Sequence, residues 1–164
     1  MKMKTYVITL SQVFPVTHKR AGEQTGFKEK FFYGIDKERD DGKIHTIRAN
    51  YELWEKRFRE IAEGRACLSV RQWSGKPYCS KQVELTRLTA EDGIGLQKLE
   101  IVKEKFWSRP ILIGYIEGVL QEGSRFFPLL AANDGLSFED WNEWFKDYNF
   151  SKPLAIIHFT NFRY

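Results

Sequence analysis

Cysteine is scarce: Cys67 and Cys79 are the only two in 164 residues, and no Cys-x-x-Cys appears. Histidine is as thin, with His18, His45 and His158 scattered along the chain. Metal ligands come in clustered spacings, so no metal centre, no disulfide framework and no cofactor is expected. Long apolar runs are missing too. Tyr6 to Leu10 is too short for a signal-peptide core or a membrane span. Together these absences predict a cytoplasmic protein with free thiols and no membrane partner. No dense lysine and arginine tract occurs, which speaks against non-specific wrapping of DNA, and there is no repeat or low-complexity segment.

What the chain has in quantity is aromatic rings: 13 Phe, 7 Tyr and 5 Trp, in a sequence that is 42% hydrophobic. That supply fills one core, and the length suits a single domain spanning residues 1–164. Rings left outside the core are stacking platforms for bases. The net charge of +4 favours an anionic partner.

One stretch concentrates chemistry: Gly42-Lys43-Ile44-His45-Thr46-Ile47-Arg48, behind the turn residues Asp40-Asp41. Thr46 to Arg48 reads as strand. Alternation puts Thr46 and Arg48 on one face and His45 and Ile47 on the other. If the turn persists through Lys43, its stem curls to the Thr46 face. Lys43, Thr46 and Arg48 are then a pocket floor, with His45 beside them as a further candidate binding residue. The plainer reading is a strand with solvated charges at its mouth.

In order along the chain, Thr5 to Leu10 is a strand, and residues 16–25 are a loop carrying the basic trio His18-Lys19-Arg20. Phe27 to Tyr33 is a short helix ended by Gly34. Asn50 caps a helix over Tyr51 to Ala62, with Leu53, Trp54, Phe58, Ile61 and Ala62 on its apolar face. Residues 65–73 and 81–88 form a hairpin. Its first strand turns Ala66, Leu68 and Val70 inward and sets Arg71 beside Trp73, a pairing suited to stacking and phosphate contact. Val83 and Leu85 face inward on its second strand. Residues 96–102 are a strand. Residues 103–110 are a flap or an ordered connection, and 111–116 are a strand with a bulge at Gly114. Ser137 caps a late helix in a capping box with Asp140, and Phe138, Trp141, Trp144 and Phe145 form its buried stripe. Leu154 to Thr160 is a last strand, with His158 a satisfied strand histidine.

Lys43-x-x-Thr46-x-Arg48, after a glycine and a short helix, resembles the signature of the ASCH family of PUA-like β-barrels. The late turn Asn133-Asp134-Gly135-Leu136 adds to that likeness. The resemblance covers about Phe27 to the last strand and is weak between Gly75 and Arg125. It implies an α+β fold, a small mixed barrel flanked by helices. Some bacterial members are N4-acetylcytidine amidohydrolases, in which the lysine, the threonine and a later acid carry amide hydrolysis. Those positions are Lys43, Thr46 and Asp134 here. Two departures stand out: the chain is longer, notably over residues 14–41 and 103–125, and it has Asp where those enzymes have Glu.

Two functions follow as expectations. One is an RNA- or nucleoside-binding module gripping its ligand with Lys43, Arg48, His45, Arg71 and Trp73. The other is an amidohydrolase of an acylated nucleoside, with Thr46 as nucleophile, Lys43 as base and Asp134 as acid. A third reading, a protein partner held by the long insertions, leaves the pocket idle.

Overall fold

A computed structural model describes residues 2–164. The fold is α+β, with four helices and two sheets. Strand β1 (Lys4–Leu10) pairs in parallel with β3 (Ala66–Trp73), and β4 (Gln82–Leu88) pairs antiparallel on the other side of β3. A parallel pair needs a long crossover. Here it holds α1 (Phe27–Ile35), β2 (His45–Arg48) and α2 (Tyr51–Ala62). The second sheet runs β2, β8 (Leu154–His158), β5 (Gly95–Phe106), β6 (Arg109–Ile116) and β7 (Val119–Gln121), every neighbour antiparallel. Helices α3 (Phe126–Asn133) and α4 (Phe138–Phe145) precede β8. Neither sheet closes on itself, but one apolar cluster joins them, with Ile8, Leu10 and Val70 from the first and Ile47, Leu99 and Ile156 from the second.

The central strands explain the burial. β8 reads Leu-Ala-Ile-Ile-His and is buried throughout, because it lies between β2 and β5 with both faces covered. β3 is likewise interior, so Cys67 and Ser69 are buried along with Ala66, Leu68 and Val70. Period-two alternation sets Cys67 and Ser69 on the face opposite Ala66, Leu68 and Val70, yet both faces are buried.

Several other expectations change. Helix α1 runs through Gly34 to Ile35, because Gly34 lies against the backbone of Lys43 and leaves the helix no reason to stop. Leu53 and Ala62 on α2 are exposed, leaving Trp54, Phe58 and Ile61 as the buried stripe. Val83 is exposed on β4, which has a neighbour on one side only. Residues 103–110 are a hairpin that prolongs β5 and β6, turning at Trp107 and Ser108. Pairing is continuous across Gly114, so no bulge forms there; the Phe126 ring occupies the space of the absent side chain. Ser137 does cap α4, accepting from the Asp140 N–H at 3.1 Å. The Asp140 carboxylate instead takes Arg20 Nη1 at 2.6 Å, so the capping box does not close. The basic trio is spent the same way: His18 bonds the Asp140 carbonyl and Lys19 bonds Glu139.

Candidate functional site

Lys43 is 1% exposed, and its Nζ lies 2.6 Å from Asp134 Oδ1 and 2.6 Å from the Asp134 carbonyl. Two backbone bonds set this meeting. Lys43 N–H donates to the Lys30 carbonyl of α1 at 2.8 Å, and Ile44 N–H donates to the Asn133 carbonyl at the end of α3 at 2.9 Å. Lys30 Nζ then clamps the turn by donating to the Gly135 carbonyl at 2.8 Å. Lys43 therefore sits between α1 and the α3–α4 turn, with its ammonium 4.3 Å from the Phe27 ring centre.

Strand β2 brings the rest. Arg48 Nη1 donates to Thr46 Oγ1 at 2.9 Å and to the Ile47 carbonyl at 3.1 Å, and Nη2 donates to the Thr9 carbonyl at 2.5 Å. The two side chains share a face, as alternation requires, and both line a cleft of about 340 Å³ with Lys43 and Asp134. Its walls are aromatic: Phe27, Trp73, Tyr78, Trp144, Phe145 and Tyr148. Tyr78 stands 90% exposed at the rim, its ring 5.2 Å from that of Trp73.

Burial governs the electrostatics. It pushes the Lys43 amine below the ordinary lysine range, helped by the positive charges of Arg48 and Lys30, while Asp134 pulls it back up. Burial likewise pushes Asp134 above the ordinary carboxylate range, against the pull of Lys43 and Arg48. Burial thus pushes both partners toward their neutral forms, while each holds the other toward its charged form. Arg48 has carbonyl and hydroxyl acceptors only, which leaves the floor with a surplus of positive charge.

Behind Asp134 lies a second layer. His45 is fully buried and does not line the cleft; its Nε2 is 2.7 Å from the Tyr164 hydroxyl, which also accepts from Asn133 Nδ2 at 3.0 Å. His45 Nδ1 has no hydrogen-bond partner and lies 4.0 Å from Asp134 Oδ1. The Trp141 indole N–H also closes no hydrogen bond, yet its dipole favours the ionised Asp134. Burial, His158 and Lys43 hold His45 well below the ordinary histidine range, so it stays neutral.

Of the residues expected from sequence, Lys43, Thr46, Arg48, Asp134 and Trp73 meet at the cleft. Arg71 does not line it. Its guanidinium bonds Ser69 Oγ at 2.8 Å and lies 3.7 Å from Glu84. His158 bonds Gln97 at 2.9 Å. Sequence reading missed Tyr78, Tyr148 and the clamp by Lys30. Tyr78 alone left a signal, an aromatic directly after the turn Ser74-Gly75-Lys76-Pro77.

Among the described residues no cluster of His, Cys, Asp or Glu forms a metal site, and no helix is long and apolar enough to cross a membrane. Family models, curated proteins and solved structures give no match to this chain. Its reading rests on the cleft.

Proposed function

We propose that the chain is a PUA-like module of the ASCH type whose cleft binds a nucleoside or a single RNA base. One observation carries this: a floor of Lys43, Thr46, Arg48 and Asp134 enclosed by aromatic walls. Rings stack on a planar base, and the floor offers fixed donors to its carbonyl edge. The size fits, since a cleft of 340 Å³ lies at the low end of the roughly 300–1,000 Å³ of small-molecule sites. The apolar cluster shared by the two sheets supports the barrel implied by the resemblance, with the sheets as its two halves.

Lys43 is paired with Asp134, and Arg48 is turned to Thr46 and to the Ile47 and Thr9 carbonyls, so the donors that remain on the floor suit the neutral edge of a base. A free nucleoside carries no phosphate, so its binding should be almost flat in salt. Titration of the four ribonucleosides and N4-acetylcytidine, followed by the fluorescence of Trp73 and Trp144, tests the reading. Saturable quenching is expected, with Trp73→Ala weakening it by about tenfold, the loss of one stacking contact. No saturation by any of the five at millimolar concentration would remove the nucleoside from consideration.

The depressed Lys43 amine favours a second reading, hydrolysis of an acylated nucleoside amide. Thr46 Oγ1 attacks the acyl carbonyl and its proton passes to neutral Lys43. The C–N bond breaks as Asp134 protonates the leaving amine, and water hydrolyses the threonyl ester. Arg48 supports the nucleophile oxygen throughout. Threonine needs such a base. Turnover then needs neutral Lys43 and protonated Asp134 together, so it is expected to follow a bell in pH, rising as Lys43 loses its proton below the ordinary lysine value of about 10.4 and falling as Asp134 loses its own. Asp134 raises the Lys43 pKa by charge and hydrogen bond, so Asp134→Asn should move the midpoint of the rising limb to lower pH while reducing the maximum. A midpoint that stays put, or rises, would exclude Lys43 as the base.

A further inference from the structure

The cleft continues beyond its own walls. Tyr148 lines both the cleft and a neighbouring groove of about 510 Å³, which runs between β5 at residues 100–103 and residues 148–153. Lys103 lies in that groove, its ammonium 4.9 Å from the Phe150 ring centre. Past Lys103 the hairpin extends into solvent to its turn at Trp107 and Ser108.

Strand alternation sorts its charges. Lys103 and Lys105 share the face of the buried Leu99 and Ile101, and Lys103 lines the groove. Glu104, the single acid between residues 103 and 112, is on the opposite face, and so is Arg109, paired across from Phe106. Glu100 is the one carboxylate that lines the groove. At the end of the lysine row stands Trp107, 86% exposed, while Phe106, 64% exposed, lies on the Glu104 and Arg109 face.

We propose that this hairpin and the groove at its foot hold a single-stranded polynucleotide, whose backbone leads from the base in the cleft, past Tyr148 and Phe150, along Lys103 and Lys105 to a base stacked on Trp107. The proposal builds on the nucleoside reading of the cleft. It supplies what the cleft lacks, cations positioned for phosphate. Two lysines on one strand face, ending in the exposed ring of Trp107, match the pairing of charge and stacking that grips single strands, and a base can enter the cleft only when unpaired. Continuity with an aromatic cleft favours nucleic acid over an anionic lipid surface, which needs no such path.

Fluorescence anisotropy of labelled octauridylate, beside titration of free nucleosides, tests this. The wild-type protein should hold the octamer more tightly than any free nucleoside. Lys103→Glu/Lys105→Glu should weaken the octamer at least tenfold and flatten its salt slope by about 1.4, at about 0.7 per phosphate contact on single strands. Trp107→Ala should cost about tenfold. All three positions are exposed, and nucleoside binding should not change in either variant. Arg109→Glu, on the far face, should leave the octamer within about twofold, since no phosphate contact is lost. An octamer no tighter than a nucleoside, or equal weakening by Arg109→Glu, would overturn the proposal. So would hairpin-dependent binding to phosphatidylserine vesicles without binding to the octamer. If the octamer binds through the hairpin while no free nucleoside binds, the hairpin assignment stands and the cleft reading falls.

Discussion

Lys43→Met is expected to lower the free energy of unfolding by about 3–5 kcal/mol, the usual loss when one partner of a buried ion pair is removed. The substitution nearly preserves volume, so the loss does not come from a cavity. It comes from Asp134, which is 4% exposed and keeps its backbone position at the end of α3. With the ammonium gone, the carboxylate keeps the attraction of the Arg48 charge but no hydrogen bond, since the nearby His45 Nδ1 and Trp141 Nε1 close none. Lys43→Met/Asp134→Leu removes the stranded charge and should recover most of the loss, because a buried pair replaced by apolar groups is often neutral. Urea unfolding with an unchanged m-value measures both. A single-variant effect under about 1 kcal/mol would mean that water reaches the pair, as at an exposed salt bridge.

The reciprocal change is expected to be milder. Asp134→Asn leaves the Asp134 backbone carbonyl 2.6 Å from Nζ, so the ammonium keeps one acceptor. This asymmetry bears on function. If the double variant is stable but binds no nucleoside, the buried pair serves the ligand and not the fold. The pair is then costly to break and dispensable to replace, which is the behaviour of a site placed in a core.

The motif at β2 was legible because its spacing is strand spacing. Thr46 and Arg48 share a face by alternation alone, and the structure shows them bonded. Asn50 and Ser137 were legible as caps for a similar local reason: each side chain accepts from an N–H three residues on. Individual helices and strands followed from the same short-range patterns, while the α+β class came as what the resemblance implied, and the structure has it. What failed were statements about neighbours. Cys67 and Ser69 are buried because β3 is flanked by β1 and β4, a fact of pairing that the composition of β3 does not contain. Residues 103–110 looked irregular because exposed aromatics and lysines fit no periodic core pattern, although they only prolong two strands into solvent. Arg71 stood next to Trp73 in the sequence reading. The sheet instead gives it Ser69 and Glu84, while Trp73 turns to the cleft with Tyr78. His45 was one residue from Thr46 and on the opposite face, so it supports Asp134 from behind rather than meeting a ligand.

The same gap between local and long-range reading fixes the remaining prediction, Gly34→Ala. On an exposed helix surface this change stabilises by about 1 kcal/mol, since alanine is the better helix former. Here the sign should reverse. Gly34 is buried within α1, and a Cβ built there runs into the backbone carbonyl of Lys43. Gly42 makes the matching approach from the other side. Its φ is 105°, and a Cβ there would come within 2.6 Å of Gly34 N and the Lys30 carbonyl oxygen. Two bare backbones therefore touch, and neither has a rotamer to yield. Relief requires Lys43 to move away from α1, which strains the bond from Lys43 N–H to the Lys30 carbonyl and the bond from Ile44 N–H to Asn133. A loss of about 3 kcal/mol is expected, at the upper end of overpacking costs. Nucleoside affinity should fall with it, measured at a temperature where the variant is still folded, because the same shift carries Nζ off Asp134. An alanine variant as stable as wild type, with its binding intact, would show that α1 does not set the position of Lys43.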